Sequence, residues 1–173
     1  AMSLVRAYGE NTVSSLKDNP YLLADDRFGV EFSTADEIAI SMGFGGDDVC
    51  RVEAAVLYEL SHNLGNGHVF LPRNKLVAAT AQLIDVDGDR VEKAVDDLCE
   101  GGKIICRPIA NVQGCYLRRM YEAETYVAKR LWAACTEECE HWVDAGKIIS
   151  EIEMQQGVVY APLQRHAVTL AAE

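Results

Sequence analysis

Apolar side chains recur along this chain mainly at helical spacing, in stretches a few turns long that glycine, asparagine and aspartate interrupt. Leu4, Val5 and Tyr8, then Val13 and Leu16, mark two short helices around a turn at residues 8–11. Asn19-Pro20 predicts another start, because asparagine caps a helix and proline at its first position gives up no hydrogen bond. That helix carries Tyr21, Leu22, Leu23 and Ala24 and runs out at Asp25-Asp26. Residues 28–32 form a hairpin around Gly29, and Ser33 with Asp36 has the spacing of a capping box for the next helix. Ile38, Ala39 and Met42 lie on that helix, and Gly43 stops it. The layout is helix, glycine hairpin, helix.

Asp47-Asp48 opens a longer helix with Val49, Val52, Val56, Leu60 and Leu64 in register, broken at residues 63–67. His68-Val69-Phe70-Leu71 reads as a short strand, and Pro72 begins a helix with Leu76, Thr80 and Leu83 on one side. After a turn at residues 85–88, Val91, Ala94, Val95, Leu98 and Cys99 follow the i, i+3, i+4, i+7, i+8 pattern as far as Gly101-Gly102. Ile104-Ile105-Cys106 and Cys115-Tyr116-Leu117 predict a hairpin around residues 111–114. Helix, strand, helix, helix, strand, strand is the order of a winged helix, in which the third helix is the one that reads DNA. A long helix from Met120 to about His141 has two apolar sides, Ala123, Val127, Leu131 and Tyr121, Trp132, Cys135, as expected of a helix packed between modules. Gly146 separates it from a short helix near residues 148–154. The expected fold is mainly α, with a helix–hairpin–helix module at 3–46 and a winged-helix-like module with a small β-hairpin at 47–119. Linking helices occupy 120–173.

Composition narrows the function classes. The 173 residues are 49% hydrophobic and 25% charged, enough apolar matter for a packed core. A net charge of −11 argues against indiscriminate nucleic-acid binding, which needs clustered positive charge. The third helix of the winged segment carries Asp89, Glu92, Asp96, Asp97 and Glu100 against Arg90 and Lys93, so it reads as scaffold rather than as a major-groove reader. One basic island stands out: Lys103, Arg107, Arg118, Arg119, Lys129 and Arg130, on the hairpin and the helix after it. No apolar run is long enough for a membrane span and no signal peptide opens the chain, so a cytoplasmic protein is expected. Ala1-Met2 reads as a cloning scar before an internal segment. The six cysteines then read as reduced, mostly packed thiols.

Several motifs carry possible chemistry. A helix–hairpin–helix turn brings backbone N–H groups and a helix N-terminus to a DNA phosphate. Gly29, Val30, Ser33 and Thr34 fit that role, although Glu31 stands where a second glycine is expected and its carboxylate would repel the phosphate. A helix-packing turn without DNA contact is the alternative. Asp85, Asp87, Asp89 and Asp96 imitate a calcium loop, but Arg90 replaces its glycine, and a turn feeding a helix explains the acids. Cys135, Cys139 and His141 give three metal-ligand types at a spacing unlike standard zinc sites, and packed cysteines account for them. His62 and His68 have no nucleophile to serve. No phosphate-cradling Gly-x-x-x-x-Gly-Lys-Ser/Thr occurs, so no catalytic or metal-binding residue is assigned.

The succession of motifs is similar to that of RecD-like (RecD/TraA family) DNA helicases, exodeoxyribonuclease V alpha-subunit-like. Asn19-Pro20-Tyr21-Leu22-Leu23-Ala24 followed by Gly29-Val30-Glu31-Phe32-Ser33-Thr34-Ala35-Asp36-Glu37-Ile38-Ala39 resembles the family's hairpin region. Gly67-His68-Val69-Phe70-Leu71-Pro72-Arg73 and Tyr116-Leu117 with Met120-Tyr121, Ala123-Glu124 resemble its next two blocks. Gln164 with Ala167-Val168 resembles the glutamine motif that precedes the nucleotide-binding strand, where the glutamine touches adenine. The resemblance implies the non-catalytic N-terminal region of an ATP-dependent 5′–3′ helicase of DNA repair and recombination. ATP and magnesium would be bound by a motor domain beyond Glu173, and the region would guide single-stranded or forked DNA or pack on that motor. DNA contacts would fall on Gly29, Val30, Ser33, Thr34, Lys103, Arg107, Arg118 and Arg119, and adenine on Gln164. The alternative is an acidic winged-helix module that binds or regulates a protein partner without touching DNA.

Overall fold

The structure, a computed structural model, describes residues 2–25, 27–136 and 144–172. It divides into two compact units, Ala1–Ala128 and Lys129–Glu173. The first unit opens with α1 (Met2–Tyr8), a 3-10 turn at Gly9–Asn11 and α2 (Thr12–Asp18). Asn19 caps the following segment, its Oδ1 accepting the Tyr21 N–H at 3.0 Å. Pro20–Ala24 is 3-10 rather than α, a length at which the tighter winding suffices. After the hairpin comes α3 (Phe32–Ser41). The capping box expected at Ser33 is not formed: Glu31 is the N-cap and offers no side-chain bond. Two other demands override it. Phe32 is buried between the rings of Tyr21 and Tyr58, at 6.1 and 5.3 Å between centroids, and the Asp36 carboxylate is turned inward toward Arg51.

The helix α4 (Val49–Leu64) starts where the sequence indicates, with Asp48 Oδ1 accepting the Cys50 N–H at 2.8 Å. It buries Val52, Ala55, Val56 and Leu60. The helix α5 (Arg73–Ile84) buries Leu76, Thr80 and Ile84, so Ile84 takes the inward position expected of Leu83. In α6 (Gly88–Glu100) Asp87 Oδ1 caps through the Asp89 N–H, and Val91, Ala94, Val95 and Leu98 face inward as their spacing predicts. These helices, the inward residues of the sheet, and Tyr21, Phe32, Ala35 and Ala39 of the hairpin region form one hydrophobic cluster. The chain is thus a mainly helical fold with a helix–hairpin-like arrangement and a small open sheet of winged-helix type.

That sheet is antiparallel in the order β1-β3-β2, built from β1 (Phe70–Pro72), β2 (Ile104–Ile109) and β3 (Val112–Leu117). The hairpin is longer than expected and turns on Ala110-Asn111, so Gln113 and Gly114 belong to the strand. Gly114 is required there for space: a Cβ would lie 2.5 Å from Ile109 Cδ1 and 3.0 Å from Phe70 Cδ2. Counted from the two-residue turn, Pro108 falls in a non-hydrogen-bonded pair of an edge strand, where its missing N–H breaks no ladder bond.

The helix α7 (Arg118–Thr136) begins directly after β3, and residues 137–143, which include its predicted limit of about residue 141, lie outside the described residues. None of its residues is buried, although the Tyr121 ring packs edge-on against Tyr116 at 5.5 Å between centroids. Cys139 and His141 lie outside the described residues. In the second unit, α8 (Ala145–Gln156) includes Gly146, expected before the helix, because Asp144 caps one turn earlier through the Lys147 N–H at 3.0 Å. Arg165 of α9 (Pro162–Ala172) ties it to α8, bonding Glu153 Oε2 and Ser150 Oγ at 2.6 Å each. Among the described residues, no helix is long and apolar enough to cross a membrane.

Thr80 is fully buried, and its hydroxyl has no hydrogen-bond partner among the described residues. Thr80→Val should therefore raise the unfolding free energy by about 1 kcal/mol, because it removes an unsatisfied polar group at nearly constant shape. A urea titration reads this as a higher midpoint. A lower midpoint would mean that the hydroxyl is satisfied.

Candidate nucleic-acid interface

A largely buried ion pair holds the hairpin region against the winged-helix core. Arg51 of α4 grips Asp36 of α3 with two bonds, Nε to Oδ1 at 2.8 Å and Nη2 to Oδ2 at 2.9 Å. Their side chains are 12% and 16% exposed. Arg51 Nη1 also donates to the Gly46 carbonyl at 2.6 Å and to the Ile84 carbonyl, at the end of α5, at 2.9 Å. The Tyr21 hydroxyl donates to Asp36 Oδ1 at 2.7 Å. The Arg51 bond holds the Asp36 carboxyl below the usual carboxylate range, whereas burial, then the Asp36 contact, pushes the Tyr21 phenol far up. One guanidinium thus joins α3, the α3–α4 loop and α5. Sequence reading missed it: Asp36 was cast as a capping residue, and nothing in the local pattern marks Arg51.

This clamp sets the position of the hairpin. Gly29 has φ +68°, a left-handed conformation that a side chain resists, which is why glycine stands there. Glu31 sits at φ −66° and ψ 147°, so the turn itself places no demand for glycine at that position. Asp25 and Arg27 brace the near side by a two-bond pair at 2.8 Å, and the Phe28 ring lies 6.1 Å from Tyr8. Ser33 and Thr34 are exposed in the first turn of α3, where backbone N–H groups have no intrahelical partner.

Across from the hairpin lies the start of the basic island. Lys103 Nζ donates to Glu53 Oε2 at 2.9 Å. Arg118 donates through Nε to the Gly102 carbonyl and is 3.4 Å from Glu122, one turn along α7. Arg119 reaches Ser61 Oγ at 3.5 Å. Between the two sides runs a groove of about 1000 Å³ lined by Gly29 and Val30 on one wall and Lys103, Arg118 and Arg119 on the other. Five of the eight residues expected to contact DNA therefore share one cavity. Ser33, Thr34 and Arg107 do not line it, and Arg107, on the hairpin, instead lies 5.9 Å over the Tyr121 ring of α7.

The groove has features that the sequence did not disclose. Tyr8, Tyr21, Phe32 and Tyr58 contribute ring surface, and exposed His62 stacks on Tyr58 at 5.6 Å, so apolar faces stand beside the charges. The i, i+4 spacing of Tyr58 and His62 on α4 was a signal that could have paired them. Four basic side chains (Arg27, Lys103, Arg118, Arg119) are matched by four acids (Asp25, Glu31, Glu53, Glu122). The acids of the imitation calcium loop are otherwise engaged: Asp87 caps α6, and Asp96 accepts from Arg73 at 2.7 Å. In the second unit, Gln164 Oε1 accepts the Ala161 N–H at 3.0 Å, the backward half of a capping box at the start of α9.

Residues 1–70 match the family model described as the ATP-dependent RecD2 DNA helicase HHH domain. The match covers α1 to α4 and ends as β1 begins, so it includes the hairpin wall of the groove but not the basic wall.

The Asp36 pair makes stability depend on pH. Because the folded state holds this carboxyl below its unfolded value of about 3.9, its contribution is complete above that value and drains away as pH falls through the lower folded value. Asp36→Asn should cost about 2 kcal/mol at neutral pH, less than a fully buried pair. Urea titrations from about pH 7 to about pH 3 should show the difference between wild type and variant shrinking with acid. A difference that is constant across that range contradicts the ionic role of Asp36.

Proposed function

We propose that this chain is the non-catalytic N-terminal region of an ATP-dependent 5′–3′ DNA helicase acting in repair and recombination, and that its groove guides a DNA strand. The observation that carries the reading is the juxtaposition, in one groove, of a left-handed glycine hairpin with Lys103, Arg118 and Arg119. The hairpin amides and the first turn of α3, with Ser33 and Thr34, would approach a phosphate. The basic wall would hold the backbone electrostatically, and the ring faces of Tyr58 and His62 suit unpaired bases, which stack on aromatic surfaces irrespective of sequence. Arg107, outside the groove, would extend the basic track along the hairpin.

ATP and magnesium would belong to a motor domain of the same protein. Gln164 has the donor and acceptor edge that adenine requires, and its carbonyl already serves α9, so its role would be adenine contact by the amide beside an ordered helix start. The chemistry that a bound nucleotide supplies to the motor is hydrolysis coupled to strand movement. The residues described contribute orientation alone.

The charge balance of the groove favours a second reading. On the basic wall Lys103 faces an acid, Arg118 a carbonyl and an acid, and Arg119 a hydroxyl, and the chain carries −11 overall, which suits a basic protein surface as partner. Salt distinguishes the readings. Fluorescence anisotropy with single-stranded and forked DNA should show binding that weakens steeply with salt. Arg118→Glu with Arg119→Glu should abolish it, and Glu31→Gln should strengthen it a few-fold by removing a repelling carboxylate from the hairpin. Absence of binding at low salt in all three proteins would leave protein docking as the function of the groove.

A further inference from the structure

Three of the six cysteines meet at the foot of the hairpin, away from the groove. Cys99 lies in the last turn of α6, Cys106 lies in β2, and Cys115 faces Cys106 across the ladder in β3. Cys99 Sγ is 2.9 Å from Cys106 Sγ, which is 3.2 Å from Cys115 Sγ. Two thiolates on a tetrahedral zinc with bonds of about 2.3 Å stand about 3.8 Å apart, so these sulfurs crowd toward one another instead of opening around an ion. Among the described residues, no group of three or more His, Cys, Asp or Glu could hold a metal. Counted from the turn, Cys106 and Cys115 form a non-hydrogen-bonded pair, for which the Cα separation of about 4.5 Å lies within disulfide range. Cys115 is buried, while Cys99 and Cys106 are partly open to solvent. Burial raises the Cys99 thiol, and the Cys115 contact, then burial, raises Cys106, while the Cys106 contact lowers Cys115; the nearby Arg73 guanidinium opposes the rise at Cys99 and Cys106.

We propose that this cluster is a hydroperoxide-reactive thiol site in which Cys106 and Cys99 form a disulfide, with Cys115 held beneath as an exchanging thiol. One of the two half-open thiolates attacks the peroxide, giving a sulfenic acid and hydroxide. The neighbouring thiol attacks that sulfur, the S–S bond forms and water leaves. In total, two thiols and one hydrogen peroxide give one disulfide and two waters. Cys115 can then attack Cys106 Sγ, transferring the bridge to Cys106–Cys115 and returning a proton to Cys99, with no net change of electrons. Burial pushes the Cys99 thiol up to about 12, so the reaction quickens as pH rises.

Peptide mapping tests the pairing in the full chain carrying Cys135→Ser and Cys139→Ser. The protein is treated with hydrogen peroxide at about pH 8, unfolded, alkylated, cut with trypsin and weighed. Trypsin spares the Arg107-Pro108 bond, so Cys106 and Cys115 share the peptide 104–118, while Cys99 lies in 94–103. The expected product is 94–103 joined to 104–118, lighter by the two thiol hydrogens and bearing one alkyl group. Cys99→Ser should move the bridge inside 104–118, and Cys106→Ser should leave the cluster unbridged. The pairing is overturned if the parent protein returns all three thiols alkylated, or bridges Cys106 to Cys115 with Cys99 free from the earliest time after peroxide addition, with no joined 94–103 and 104–118 product preceding it. A bridge from Cys50 to any of the three also overturns it. The parent map decides even if a variant folds poorly.

Discussion

Arg51 is the constraint on which the rest of the first unit depends. A guanidinium carries five donors in a rigid fork, and here they are spent on a carboxylate from α3, a carbonyl from the loop before α4 and a carbonyl at the end of α5. Such a group removed from water is tolerable only when its partners are complete. The requirement runs in both directions: α3 can approach α4 closely because Asp36 is neutralised, and Tyr21 can bury its ring because its hydroxyl finds the same carboxylate. The ring stack from Tyr21 through Phe32 to Tyr58 then carries the order from the hairpin region to the long helix. Without the clamp, two sets of apolar residues would still meet, but nothing polar would set their angle.

The groove inherits its geometry from that arrangement and its electrostatics from elsewhere. Its basic wall is set by the sheet and the start of α7, since Arg118 follows β3 directly and bonds the carbonyl of Gly102. Pre-paired basic groups give up less rotamer freedom on binding than free ones, yet they attract a polyanion less strongly. A surface of this kind holds a strand presented to it better than it captures one from solution. That is the behaviour the proposed guide requires, and under that proposal a chain of net −11 is compatible with a nucleic-acid role.

Periodicity carried most of the helical fold. The stripe of α6, the caps at Asn19, Asp48 and the turn at Gly43 stand where the pattern puts them, because each depends on neighbours within one or two turns. What was illegible depends on partners far along the chain. Asp36 had one local use in the pattern, the capping box, and a residue fifteen positions away claimed its carboxylate instead. Ile84 displaced Leu83 because the core of α4 and α6 dictates the rotation of α5. At the site, the two walls were each visible as motifs, but their meeting was not. Likewise Cys106 and Cys115 could be set on one hairpin from sequence, whereas Cys99 joins them only through the packing of α6 on β2.

A double-mutant cycle on Asp36 and Arg51 tests the central claim most directly. Unfolding free energies of Asp36→Asn, Arg51→Met and the double variant, measured at neutral pH, give the coupling between the two side chains. The account predicts about 2 kcal/mol of coupling, with the double variant losing far less than the sum of the single losses. Additivity within about 0.5 kcal/mol would contradict it, and the hairpin region would then owe its place to apolar packing alone.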